Sequence, residues 1–373
     1  MAAPDASAGR ARAGLLQCLC GLAGAPYDDA EPAAPRVLLL AAGFMLAVVS
    51  QVMCLSALPL AGWMLAPRPG LAALPLVAMI VGSGLATLPA VLLRDAFGRR
   101  AAFALGASLG AAGGAMAAWA LIEHQFVILT LGALWLGIAQ GFGLFYRHEA
   151  AMGTGRARTR AVGLVVSAGA LAGFIAPGVA RFAEQALFPH AFAGALTVAA
   201  AAHVAALAMT TRLPLTEPRD RQGRAEQAGD WSGLVAATVF AAFAWFSMGR
   251  LMVIAPIGLS GCGLSFADVS GVVAWHVIAM YAPAMLMPAL VARIGTINFQ
   301  YLGMGLLLAG VGMAAMAPTA VLLTSGYLAV GAGWSLTTAA ATLRIGEAEP
   351  ERLQLALHDA VLFAAALAGM LTA

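Results

Sequence analysis

The sequence predicts an all-α, multi-pass membrane protein made of two helical bundles, on three observations. Of its 373 residues 62% are hydrophobic and 10% charged, with mean hydropathy +0.89, whereas a soluble domain is about half apolar and about a quarter charged. Apolar runs of about 20 residues, enough to cross a ~30 Å hydrocarbon core, recur along almost the whole length. All 20 basic residues are Arg. With the N-terminus in the cytoplasm, only Arg68 and Arg181 face outward and Arg250 lies within a span, so the other 17 of the 20 lie on the inner side. That is the asymmetry expected of positive inner loops.

Eleven spans are expected, and arginines mark most of their inner ends. The first, 37–63, begins after Arg36, and the second, 70–93, ends at Arg94 and the turn RDAFGRR. Span 101–122 leads back out, and 126–146 returns through GIAQGFG to Arg147. Span 161–181 follows Arg156, Arg158 and Arg160, and 191–211 ends at Arg212. In the second half, 232–257 holds WFSMGRLM, 267–291 holds AWHVIAMYAPAM and reaches Arg293, and 297–316 leads out again. Span 319–342 carries GAGWSL and stops before Arg344, while 353–372 follows Arg352 and opens with His358 and Asp359. This divides the chain into a cytoplasmic tail at 1–35, a six-helix bundle at 36–211, a polar cytoplasmic linker at 212–230, and a bundle of five helices at 231–373 that stops one short of twelve.

Several classes of function are excluded. The net charge of +3 follows from the topology and gives no reason to expect nucleic acid. The chain has no Lys, hence no P-loop to drive pumping by ATP, and it shows no acid–base pair or nucleophile elbow of an enzyme. Four cysteines, Cys18, Cys20, Cys54 and Cys262, are too scattered for a disulfide framework. The two in the tail would hold Cu(I) only weakly.

The chemistry concentrates in the seventh and eighth spans. Met248 and Met252 stand one turn apart, as do His276 and Met280. Met248 lies 14 residues before Cys262 and His276 lies 14 after it, so on antiparallel neighbours the two share a depth, with Met252 a turn of ~5.4 Å nearer the outside and Met280 a turn nearer the inside. Thioethers favour Cu(I), and imidazole shares its coordination. The bland alternative is that methionine fills gaps in the core and His276 hydrogen-bonds a neighbouring helix. Arg250 turns to the face opposite Met248 and Met252 and reaches toward the headgroups. Asp359 is either a coupling or gating carboxylate or an acid favoured near a helix N-terminus.

Ordered motifs give the chain a family likeness. The turn after the second span keeps Asp95, Gly98, Arg99 and Arg100 of the major facilitator pattern but departs from it at Val91 and Ala96; its Asp and Arg can pair across helix ends. The fourth span keeps Gln140, Gly141 and Gly143 but has Gly137 where that family carries an arginine, and in the fifth Gly169, Gly173 and Pro177 resemble the gating motif with its proline displaced. The halves echo each other weakly: RDAFGRR answers VARIGT, and GFGLF answers GAGWSL, as in parallel repeats with the substrate site between them. Within that superfamily the chain resembles the CcoA-type copper importers, on Met248, Met252, His276, Met280, the stretch WHVIAMYAP and Cys262. The resemblance implies a multi-pass protein of a bacterial inner membrane that imports copper, as Cu(I), for assembly of cbb-type cytochrome oxidase. It implies no tightly bound cofactor, copper as substrate held by those four residues, a copper chaperone on one side of the membrane as a partner, and redox roles for Cys54 and Cys262. Asp95 and Arg99 join Asp359 as gating candidates. The related RfnT riboflavin importers share the fold, so a small organic cargo is the alternative; a non-transporting assembly or sensor protein is a second.

Overall fold

The computed structural model describes residues 34–152, 155–214, 231–348 and 351–373. The tail with Cys18 and Cys20, and most of the linker, lie outside the described residues. Among the described residues no strand occurs. The helices are α1 (Ala34–Leu65), α2 (Leu74–Leu85), α3 (Thr87–Ile122), α4 (Phe126–Ala150), α5 (Gly155–Ala168), α6 (Ala170–Ala186), α7 (Ala193–Thr210), α8 (Trp231–Gly261), α9 (Phe266–Tyr281), α10 (Met287–Ala315), α11 (Ala320–Glu347) and α12 (Arg352–Leu371).

Helices and membrane passes do not coincide one for one. α3 is broken at Gly98 (φ 82, ψ 162) and α10 at Gly295 (φ 78, ψ 163), a left-handed extended geometry that only glycine adopts without strain. The apolar stretch Asp268–Ala315 is 48 residues long, about 72 Å of helix at 1.5 Å per residue and therefore two passes joined at Gly295. α2 with the start of α3 makes one pass, and α5 with α6 another. Eleven passes result among the described residues, and the two broken turns are the RDAFGRR and VARIGT stretches whose likeness the sequence showed.

α1 packs on α4 and α7, and α3 on α4 and α7; α8 packs on α11 and α12, and α10 on α11. These two bundles meet along two seams. One runs between α5–α6 and α9 with the turn after it, where Gly163 lies against Ala284 and Gly173 against Ile278. The other joins α2 to α12, where Gly84 faces Phe363. Small residues at these crossings let backbones approach and take up dispersion contacts that lipid cannot better.

One close approach accounts for Gly137. A Cβ there would overlap the Met79 carbonyl oxygen, so α2 occupies the space into which an arginine would extend. Gly137→Val is expected to remove the folded protein, since neither backbone can yield. Size-exclusion chromatography of detergent extracts would show the wild-type peak reduced to aggregate.

The basic ends of the helices gather on a buried acid. Glu149 pairs with Arg36 at 3.6 Å, Arg94 at 3.5 Å and Arg99 at 3.7 Å, while Arg94 also holds Asp95 at 3.1 Å. These contacts explain why α4 runs to Ala150, past the expected end at 146. Its last turn stays helical with Arg147, His148 and Glu149 buried because Arg147 and Glu149 each have a partner of opposite charge and His148 hydrogen-bonds Asp359. Arg147 is thus a core residue and not an inner-loop cation.

Candidate functional site

α8 and α9 form a hairpin whose second arm starts firmly. Ser265 and Asp268 make a capping box at the N-terminus of α9, satisfying backbone N–H groups that the helix cannot. The hairpin brings His276 Nε2 to 3.1 Å from Met248 Sδ, so these two residues share a depth, as their equal spacing from Cys262 predicts. His276 is fully buried. Its Nδ1 lies 2.8 Å from the Tyr327 carbonyl oxygen, an acceptor only, so Nδ1 carries the proton and donates. In the neutral ring Nε2 is then a lone pair, and it faces the lone pairs of a thioether. An imidazolium would supply a proton to the contact, but it would leave a buried charge without a carboxylate. Two soft donors are left pointing at each other.

α11 supplies the back of this site. The Tyr327 ring stacks on His276 with centroids 3.6 Å apart and planes 4° from parallel, and its hydroxyl donates to Met252 Sδ at 3.0 Å. One turn further, a Cβ at Gly331 would sit 3.1 Å from His276 Nδ1 and Cε1, so the imidazole occupies the space a side chain would need. The sequence pointed to GAGWSL only as an echo of GFGLF, and Tyr327 was not anticipated. A tyrosine deep in an apolar span, one turn before a glycine, was the available signal.

A cavity of about 80 Å³ lies between the bundles. Met248, Met252 and Met280 line it together with Met79 and Met370, while His276 stands one layer behind Met248. Part of the remaining wall is an arc of aromatic rings. Phe44 meets Tyr281 at 5.8 Å, Tyr281 meets Trp334 at 5.7 Å, Trp334 meets Trp245 at 5.5 Å, and Trp245 meets Phe363 at 5.4 Å. Trp245 Nε1 donates to Thr338 Oγ1 at 3.2 Å. Among the described residues no three His, Cys, Asp or Glu side chains converge on a point, so a metal here would rest on thioethers and one imidazole.

Arg147 reaches this cavity from α4 and pairs with Asp359 of α12 at 2.5 Å. His148 Nε2 lies 3.0 and 3.2 Å from the two Asp359 oxygens, and His358 Nδ1 lies 2.8 Å from Thr238 Oγ1. Asp359 is fully buried and ties one bundle to the other; it is no exposed acid at a helix start. Asp95 and Arg99 lie apart from it, in the Glu149 cluster, where Arg99 also donates to the Pro214 carbonyl at 3.4 Å. Cys54 is buried and Cys262 exposed, and both thiols are free. Arg250 does not line the cavity and donates to the Thr372 carbonyl at the end of α12.

Known structures share this architecture at low sequence identity. The human organic anion transporter MFSD10 superposes with a TM-score of 0.73 at 14% identity, over 91% of this chain and 93% of that one. The proton:xylose symporter XylE gives 0.71 at 13% identity, over 90% and 86%. In sequence, the riboflavin transporter RfnT of Brucella anthropi is 29% identical over 287 residues, 75% of this chain and 72% of that protein. The chain has the fold of the major facilitator superfamily. A second relative, the uncharacterised MFS-type transporter YdeG of Bacillus subtilis, is 26% identical over 287 residues, 71% of this chain and 66% of its own length. No family model matches the chain. Its cavity lies at the junction of the two bundles, where that fold places substrate.

Proposed function

We propose that this chain is a transporter that carries copper, as Cu(I), by alternating access, and that Met248, Met252, His276 and Met280 pass the ion along. The observation that carries this reading is the unprotonated Nε2 of His276 facing Met248 Sδ at 3.1 Å. At bond lengths of about 2.0 Å to nitrogen and about 2.3 Å to sulfur, as at zinc, two ligands of one tetrahedral ion stand about 3.5 Å apart. A small rotation of the flexible Met248 side chain opens that space. Neutral thioethers release the ion readily, as a transport path requires. Import at an inner membrane for cbb-type oxidase assembly, a chaperone that delivers or receives the ion, and redox roles for Cys54 and Cys262 belong to the same proposal. The Arg147–Asp359 pair serves as the latch between bundles, with Asp95 and Arg99 bracing the separate Glu149 cluster.

Radioactive copper uptake, in cells lacking their own importer, tests the reading. Met248→Ala at matched membrane expression is expected to lower uptake at least about tenfold. Normal uptake by that variant, or none by the wild type, contradicts it. A second reading, uptake of riboflavin or another planar molecule, is favoured by the aromatic arc, which offers stacking surfaces, and by the name of the Brucella anthropi relative. Riboflavin uptake in the same cells is the discriminating arm. The cavity between the bundles gives no support to a non-transporting role.

A further inference from the structure

We infer that Tyr327 is a positioning residue for the cargo, one that sets the donor face of His276 and holds Met252 in reserve; the inference rests on the copper reading. Three contacts from this single buried residue carry it. Its carbonyl accepts the Nδ1 proton at 2.8 Å, its ring lies flat on the imidazole at 3.6 Å, and its hydroxyl donates to Met252 Sδ at 3.0 Å. The first two fix which imidazole nitrogen is a free lone pair and where it points, in the way outer partners of metal-bound histidines usually do. The third has the opposite effect, because it engages a sulfur that lines the cavity.

A thioether is a weak acceptor, and a buried phenol keeps a partner where it finds one. The bond to Met252 is therefore strong enough to orient the sulfur and weak enough to yield to a metal. When an ion sits between Met248 and His276, Met252 exchanges the hydroxyl for the metal, and the returning hydroxyl helps release the ion. The exchange lets the site alternate between holding copper and letting it go, without any change in ligand identity.

Tyr327→Phe separates these roles, since it keeps the ring and the carbonyl and removes only the hydroxyl. With copper supplied alongside ascorbate, the variant is expected to show an apparent KM about fivefold lower and a lower maximal rate, because Met252 is freed to bind and slower to let go. In a Met252→Leu background the same substitution is expected to leave KM where it stands. A change in maximal rate alone, an unchanged KM, or a KM shift that persists in the Met252→Leu background overturns the inference while leaving the copper reading in place. A wild type that imports no copper overturns both.

Discussion

Replacing Asp359 with Asn is expected to cost the protein about 3–5 kcal/mol of stability, because it leaves the Arg147 guanidinium as a buried charge without its counter-ion. Arg147 is 2% exposed and Asp359 is wholly buried, so bulk water does not take over the lost role. His148 keeps at most one of two acceptors in the same step, since both Asp359 oxygens lie within 3.2 Å of its Nε2 and asparagine retains a single carbonyl oxygen. The double variant Arg147→Met, Asp359→Leu removes both charges and is expected to recover most of the stability, as apolar replacements of buried ion pairs often do. Thermal unfolding in detergent measures both effects. Recovered stability without recovered uptake is the expected combination if the pair is a latch, because apolar packing restores cohesion but not a contact that opens and closes.

His276→Ala is expected to abolish copper uptake, by well over tenfold, while lowering stability far less than Asp359→Asn. The imidazole contributes one hydrogen bond to the Tyr327 carbonyl, worth about 1 kcal/mol, and a ring of packing against Tyr327. Its larger effect is chemical, because without it Met248 loses the nitrogen that stands 3.1 Å from its sulfur. The comparison of uptake with thermal stability in the two variants distinguishes a ligand from a core residue: a core histidine would lower both in proportion.

The membrane fold was legible because its determinants are coarse. Spanning length, glycine turns and arginine asymmetry each act over whole helices, so eleven passes and the matched breaks at Gly98 and Gly295 could be expected from pattern alone. The Met248–His276 contact was legible through symmetric spacing about a tight hairpin, which sets depth in both arms. What escaped were contacts made between distant segments. Tyr327 reaches His276 across a separation of 51 residues and Arg147 reaches Asp359 across 212, and no local period encodes such partners. Arg147 was read as a loop cation because charge usually ends a span; here a carboxylate on the opposite bundle keeps it inside. Gly137 shows the converse, a position whose identity is decided by the Met79 backbone passing against it.

The central claim is that Met248 and His276 share one copper ion, and X-ray absorption at the copper edge of the purified, Cu(I)-loaded transporter tests it most directly. The account predicts sulfur neighbours at about 2.3 Å with one nitrogen at about 2.0 Å, and loss of that nitrogen in His276→Ala. A protein that retains no copper, a first shell of nitrogen and oxygen alone, or a spectrum unchanged by His276→Ala would contradict it.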